Sequence, residues 1–264
     1  MASRTTAGSG APSRTPGSSE RPSPPIGLPS ASASSEPDAG AATAPRPRRK
    51  GKRPTSGRRL FAFDRALGVR YVAGADEAGR GCLAGPLVGA AVLFDLERIG
   101  VAEVRALAAL NDSKQHDEAA REALYPIVMR TATRAAIVSR CAPGIDSRGL
   151  HRTNLAALSD ALKRVARPGC LCLVDGFAVP DVGHEQRAIV DGDATSAAIA
   201  AASILAKVSR DRFMRRADEL HPGWEFGAHV GYSTPEHRAA ILRQGVSPLH
   251  RMSFQSTAYQ QLAL

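Results

Sequence analysis

Cysteine is scarce, tryptophan is nearly absent, and no apolar run is long. The 264 residues include four cysteines and one tryptophan, and aromatic residues make up only 5%. Cys82, Cys141, Cys170 and Cys172 contain no pair with the two-residue gap of a zinc site, and a chain this long needs no disulfide staples. Cys170 and Cys172 lie two apart in an apolar run, so on a strand both point the same way, as small buried hydrophobes. The longest near-apolar stretch, Ala197 to Ala206, is about half of what a bilayer-spanning helix needs. The N-terminus also lacks the apolar segment of a secretory signal. A cytoplasmic protein without a membrane partner is expected.

Large apolar residues are almost missing from residues 1–60, which are rich in Ser, Pro, Ala, Gly and Arg. Such a segment cannot offset the entropy of ordering, so a disordered tail is expected there, with the folded domain at 61–264. The tail holds eleven Lys or Arg and three Asp or Glu, so about +8 of the +10 net charge resides in it. A basic chain suggests an anionic partner, yet the remainder is only about +2. The run from Arg46 to Arg59 suits either a solvated solubility tail or a non-specific phosphate-binding arm.

From Phe61 onward the chain is patterned. Apolar runs predict strands at Tyr71–Asp76, Leu87–Phe94, Thr133–Cys141, Cys170–Val174 and Gln186–Val190. Helical spacing predicts helices at Asp117–Thr131, Ser147–Ala166, Ser196–Leu220 and Pro235–Gln244. Strands followed by helices, without an internal repeat, indicate an α/β domain with a mainly buried sheet.

Three of these strands end in an acid beside glycine: Gly74-Ala75-Asp76-Glu77, Val174-Asp175-Gly176 and Asp191-Gly192-Asp193. One acid in a turn is ordinary. Three strand ends together point to a site, because ligands of open α/β sheets bind at the carboxyl ends of strands. If the strands are neighbours, Asp76, Glu77, Asp175 and Asp193 converge. Two carboxylates about 4 Å apart repel by roughly 4 kcal/mol at an effective dielectric near 20. Such a cluster calls for protons or for hard divalent cations, Mg²⁺ or Mn²⁺. Asp76 and Glu77 are adjacent and so point to opposite faces of a strand. Both serve one site only if the strand ends near Asp76 and bends at Ala78-Gly79-Arg80-Gly81.

These residues are also recognisable. Gly74-Ala75-Asp76-Glu77-Ala78-Gly79-Arg80-Gly81 with Gly85-Pro86-Leu87-Val88, then Asn111-Asp112-Ser113-Lys114, Val174-Asp175-Gly176, and Gly192-Asp193 with Ile199–Val208, resemble in order and spacing the motifs of the bacterial ribonuclease HII family. The C-terminal Gly231-Tyr232, Thr234, His237 and His250-Arg251 are similar too, so the resemblance covers about residues 70–255. It implies an RNase H-like fold: a central mixed five-stranded sheet flanked by helices, with a helical C-terminal extension from about residue 209. It implies an endonuclease that hydrolyses the RNA strand of RNA–DNA hybrids and incises 5′ to ribonucleotides embedded in duplex DNA, leaving 5′-phosphates. Asp76, Glu77, Asp175 and Asp193 would hold Mg²⁺ or Mn²⁺, one ion without substrate and two with it. Gly79, Arg80 and Gly81 would sense the ribose 2′-hydroxyl. Tyr232 would pack on the next sugar, and Ser113, Lys114 and Lys207 would meet phosphates. The chain departs from the family at Val230 and Gln115, where lysines are frequent. A monomer is expected. Alternatives are another RNase H-like phosphoryl transferase of the resolvase or integrase type, or a catalytically silent nucleic-acid-binding protein. His229, His237 and His250 read as structural, Trp224 and Phe226 as packing residues, and Arg210 with Asp211 as an internal ion pair.

Overall fold

A computed structural model describes residues 56–111, 116–254 and 259. Chain order is α1 (Ser56–Ala66), β1 (Tyr71–Ala78), β2 (Leu87–Asp95), α2 (Val101–Ala106), α3 (Glu118–Thr131), β3 (Arg134–Arg140), α4 (Ala142–Arg148), α5 (Leu150–Val165), β4 (Cys170–Asp175), β5 (Gln186–Ile189), α6 (Ala197–Leu220), α7 (Phe226–His229) and α8 (Pro235–Gln244). The sheet order is β3-β2-β1-β4-β5. The first three strands form an antiparallel meander, whereas β4 and β5 run parallel to β1. This is the expected mixed five-stranded sheet.

The pleat splits the core in two. Val72, Val92, Phe94, Leu171 and Leu173 meet the Ala-rich half of α6 on one face. Ala73, Ala91, Leu93, Cys172 and Val174 meet Leu158, Ala161 and Leu162 of α5 on the other. Cys170 and Cys172 are buried there, as expected. Small residues let α6 lie almost on the backbone of β1. A Cβ added at Gly74 would sit 2.1 Å from the carbonyl carbon of Ala198.

Three boundaries differ from expectation. Helix α1 begins at Ser56, inside the expected tail, because Leu60 and Phe61 supply an apolar face that the average over residues 1–60 conceals. Both are fully buried, and Phe61 packs against Phe94 with ring centroids 5.3 Å apart. Buried Asp64 of α1 accepts from the amide of Ala198 at 3.0 Å, which ties α1 to the start of α6, and burial pushes its pKa up to about 7. The single helix expected over 147–166 is two, broken at Gly149, where φ is +81°. Nothing breaks α6 at residue 209. There the helix merely leaves the sheet, and its later residues Met214 and Ala217 join a separate cluster with Ala84 and Phe226.

Gly74→Ala is expected to destabilise the protein by about 1–3 kcal/mol or more, since the clash is with backbone and only a shift of α6 relieves it. Urea unfolding of the variant against the wild type checks this; an unchanged midpoint would mean that α6 is not held so closely.

Candidate active site

Strands β1 and β4 are in parallel register through Ala75 and Val174, so Asp76 and Asp175 come next, side by side. Alternation puts both on the α6 face. Asp175 is joined to the turn beyond β5, because the amide of Gly192 donates to its Oδ1 at 2.7 Å. That turn is one 3-10 turn, Gly192–Ala194, and it carries Asp193, only 6% exposed. Asp76 is equally buried, accepts from the amide of Glu77 at 2.7 Å and is hydrogen-bonded by Ser203 of α6. Burial above all, and then the charges of Glu77 and Asp175, push its carboxyl well above the usual range.

Glu77 corrects one expectation. The strand does not end at Asp76; it stays paired with β2 as far as Ala78 opposite Val88. The pleat therefore sends Glu77 to the other face, where it lies 3.8 Å from the Arg80 guanidinium. Among the described residues no three His, Cys, Asp or Glu side chains are already arranged as a metal cage. The donor chemistry nevertheless fits a hard divalent cation. The acids offer oxygen only, and Asp76 is raised in part by its acidic neighbours, a repulsion that a cation would relieve as well as a proton does.

The segment after β1 is braced from beneath by two fully buried arginines. Arg210 of α6 donates to the carbonyls of Pro86 at 2.9 Å and Ala84 at 3.1 Å. Arg251 donates to the carbonyl of Gly85 through Nε and Nη2 and to that of Arg80 through Nη1. Burial pulls the pKa of Arg251 down to about 10. Gly79, at φ +87°, has room for no side chain: a Cβ would stand 2.0 Å from Arg210 Nε. Arg210 is thus not the ion-pair partner of Asp211. That carboxylate takes Lys207 at 2.7 Å and Arg121 at 3.7 Å, because Arg210 projects toward the loop instead. Arg80 itself lies over the exposed ring of Phe177, 5.7 Å from its centroid.

Tyr232 stands across this loop, 42% exposed. Lys207 Nζ and the Arg210 guanidinium lie 5.7 and 5.9 Å from its ring centroid, and its hydroxyl is within hydrogen-bonding reach of buried Cys82. Burial chiefly raises the pKa of both. Three histidines hold the backbone that presents it. His229 bonds the carbonyl of Trp224 at 2.7 Å and accepts from the amide of Gly231. His237 Nδ1 bonds the carbonyl of Tyr232 at 2.8 Å, its Nε2 meets His250 Nε2 at 3.1 Å, and His250 Nδ1 accepts from the amide of Ser247. Carbonyls only accept and amides only donate, so each ring has one assigned tautomer and all three are neutral. Val230 adopts φ +44° and packs with Ala84 and Phe226. Trp224 and Phe226 stack with centroids 6.1 Å apart, as packing residues.

Of the sequence-derived candidates, Asp76, Asp175 and Asp193 gather on one side, Glu77 lies on the opposite pleat, and Gly79, Arg80 and Gly81 form the adjoining loop. Lys207 and Tyr232 face each other. Ser113, Lys114 and the departure Gln115 lie outside the described residues. Ser203, Arg251, Cys82 and Phe177 were not legible as participants. Ser203 had a faint signal, the one hydroxyl in an otherwise apolar helix half facing a buried acid.

The sheet, its order and the acids at its edge define the ribonuclease H-like class of nuclease. Ribonuclease H2 from Pyrococcus horikoshii superposes with a TM-score of 0.61 at 24% identity, covering 73% of this chain and 96% of that one. The Mn²⁺ complex of Bst-RNase HIII superposes at 0.60 with 20% identity, covering 76% and 72%. The chain belongs to the ribonuclease HII family: the family model matches residues 73–257, and the ribonuclease HII of Mycobacterium tuberculosis is 46% identical over 188 residues, 71% of this chain and 69% of that protein. It is therefore an enzyme, a nuclease of the hydrolase class, and the resolvase, integrase and silent-binder readings are set aside. No helix among the described residues is long and apolar enough to cross a membrane.

Burial lowers His237 and His250 from 6.5 to about 4. A depressed folded-state pKa means that their contribution to stability is complete above about pH 6.5 and is lost as pH falls through about 4. Ring-nitrogen NMR should show both neutral down to about pH 4. Midpoints near 6.5 would mean that the histidines do not lock the Tyr232 loop.

Proposed function

We propose that this enzyme cuts the RNA strand of RNA–DNA hybrids, and cuts on the 5′ side of a ribonucleotide embedded in duplex DNA, leaving that ribonucleotide with a 5′-phosphate. The reading rests on one observation. Asp76 and Asp175 stand on adjacent parallel strands, on one face, with Asp193 tied to Asp175 through Gly192. Asp76, Asp175 and Asp193 would hold Mg²⁺ or Mn²⁺, one ion before substrate binds and two with it, and Glu77, whose charge already bears on Asp76, would complete the set by a turn of its side chain around the end of the strand. The ions supply activation of the attacking water and charge stabilisation at the leaving oxygen. Bst-RNase HIII, of the same fold, was solved with Mn²⁺.

The protein's own groups do the positioning. Ser203 and the Gly192 amide aim the carboxylates, and burial keeps bulk water from diluting the field at Asp76. The loop of Gly79, Arg80 and Gly81 presents backbone at a place where two buried arginines forbid it to sag. A rigid backbone edge beside small residues lets a ribose 2′-hydroxyl come within hydrogen-bonding distance, and that hydroxyl separates RNA from DNA. Tyr232 offers an exposed aromatic face to the next sugar, where a deoxyribose fits closely. Lys207 is engaged by Asp211, so its contact with phosphate requires exchange of that ion pair. Ser113 and Lys114 remain proposed phosphate contacts.

Asp76→Asn and Asp175→Asn should each lower cleavage by more than about 100-fold, beyond the ten- to hundredfold typical of losing a group that only orients a ligand. Circular dichroism and urea unfolding should show the fold retained. Near-wild-type turnover in Mg²⁺ by either variant would remove that residue from the metal site.

Tyr232→Ala should lose roughly ten- to a hundredfold in rate on a single embedded ribonucleotide, as expected for one stacking contact of about 1–3 kcal/mol, and less on a continuous hybrid. The quantity to measure is the ratio of the two rates. Equal losses on both substrates would make the tyrosine structural and end its junction-reading role.

A further inference from the structure

Helix α1 does more than close the core. It lies before the stretch that the family model matches. Its docking does not depend on any charged pair: Leu60 and Phe61 are buried, the Gly57 amide donates to the carbonyl of Ala108 at 3.2 Å, and Arg65 Nη2 donates to that of Ile99 at 2.6 Å. Asp64 is the one acid on this helix, and it is fully buried. A buried carboxyl is costly unless donors meet it. The donors that meet Asp64 all belong to the start of α6.

The first four amides of a helix have no partner within it. Here the Ala198 amide donates to Asp64 Oδ2 at 3.0 Å, and the Ala197 amide is bonded to the same carboxyl. Ser196, the N-cap, is fully buried as well. Its hydroxyl accepts from the Ile199 amide at 3.3 Å, which leaves its own proton for Asp64, and the two side chains are hydrogen-bonded. The Ser196 amide in turn donates to the carbonyl of Gly192 at 2.8 Å and closes the 3-10 turn that carries Asp193. The other end of this turn is fixed by the Gly192 amide on Asp175 at 2.7 Å. Asp193 is thus slung between two anchored points, and Asp64 holds one of them.

Without Asp64 the amides of Ala197 and Ala198 would lose their acceptor. Helix α6 has no freedom to shift toward another, because a Cβ at Gly74 of β1 would already stand 2.1 and 2.2 Å from the backbone of Ala198 and Ile199. The part able to adjust is the short turn before the helix. It enters at Asp191 with φ +50°, a conformation that persists in a residue other than glycine only while its surroundings enforce it. We infer that Asp64 is a positioning residue of the metal centre: it fixes Ser196 and the turn, and so sets where Asp193 stands relative to Asp76 and Asp175. The inference rests on the metal-dependent nuclease reading for its ligand and on the contact of α1 with α6 for its geometry. Asp64 Oδ1 meets no partner among the described residues. One accepting oxygen therefore does the work, a task that a carboxamide also performs.

The experiment measures Mn²⁺ binding to the substrate-free protein, by electron paramagnetic resonance of the free ion, for wild type, Asp64→Ala, Asp64→Asn, Ser196→Ala and Phe61→Leu, with unfolding midpoints alongside. Asp64→Ala should bind Mn²⁺ about tenfold more weakly, the low end of what loss of a group supporting a metal ligand costs. Asp64→Asn should stay within about twofold of wild type, since Asn caps a helix start as well as Asp does. Phe61→Leu loosens α1 but keeps the acceptor, so it should lower the midpoint and leave the affinity unchanged. In turnover, the Mn²⁺ concentration giving half-maximal rate should rise in Asp64→Ala by the same factor as the binding constant, while KM for the hybrid stays unchanged. If Asp64→Ala does not fold, Ser196→Ala decides, because it severs the link to the turn and keeps the carboxyl on Ala198; it too should weaken Mn²⁺ binding. Wild-type affinity in the deciding variant, or equal losses in it and in Phe61→Leu, overturns the inference and makes Asp64 a packing residue. A loss in Asp64→Asn as large as in Asp64→Ala overturns it too, because charge and not the accepted bonds would then be at work. The two readings fail separately, since the Gly192 and Ala194 amide resonances report the turn without any metal. A wild type that binds no Mn²⁺, with those resonances moved by Asp64→Ala and not by Phe61→Leu, refutes the metal reading and leaves the link. A wild type that binds Mn²⁺ while resonances and affinity ignore Asp64→Ala refutes the inference alone.

Discussion

Negative charge held at one sheet edge against its own repulsion is the constraint to which most of this fold answers. Asp76 and Asp175 are brought side by side by strand register, and Asp76 lies at a depth where water screens it little. Nothing in strand pairing itself compensates that repulsion. Compensation comes from donors placed one element away: Ser203 on the helix above, the amide of Gly192 in the turn beyond β5, and the amide of Glu77. Each works only if α6 and the 3-10 turn sit closely on the sheet. That closeness in turn requires glycine at 74 and the small residues Ala197, Ala198 and Ala200–Ala202 in the first turns of α6.

The loop beside the acids is stabilised by the opposite charge, in an unusual way. Among the described residues no carboxylate sits directly on the buried guanidiniums of Arg210 and Arg251, and their partners are carbonyl oxygens of residues 80–86. A buried cation is costly to desolvate. Spreading it over several carbonyl dipoles offsets part of that cost, and it makes the path of the loop depend on both side chains together. The C-terminal segment is therefore part of the site although it bears none of the acids. It contributes Arg251, Tyr232 and the histidine-fixed turn that presents Tyr232.

Most of the architecture was legible because it rests on local pattern. The five strands and α6 follow from apolar runs bounded by glycine, proline or acid, and the sequence pattern alone marks three strand-end acids as candidates for one site. The losses have physical reasons. The start of α1 was hidden by averaging: two large apolar side chains, Leu60 and Phe61, outweigh a polar neighbourhood once Phe94 is there to receive them. Glu77 was expected to swing to the side of Asp76, but pairing with β2 outlasts pairing with β4 by three residues, and only the two registers together reveal this. Arg210 was assigned to its neighbour Asp211 because sequence shows helical adjacency and not rotation about the axis; the two point in different directions. The roles of Ser203 and Arg251 depend on what they face across the fold, which no local pattern encodes.

One helix carries both the hydroxyl bonded to Asp76 and the guanidinium that braces the loop after β1. Ser203 and Arg210 are seven residues apart on α6, two turns and about 10.5 Å along its axis. The helix is thus a ruler between the carboxylates and the loop after β1, and its graduation is the helical repeat itself. Lengthening it by one residue between these positions would turn everything beyond by about 100° and carry the guanidinium off the carbonyls it serves. The turn before α6 is fixed by Asp193 and by the Ser196 cap, and the interval between 203 and 210 can change only in whole turns, each of which would move the braced loop by about 5.4 Å along the helix axis.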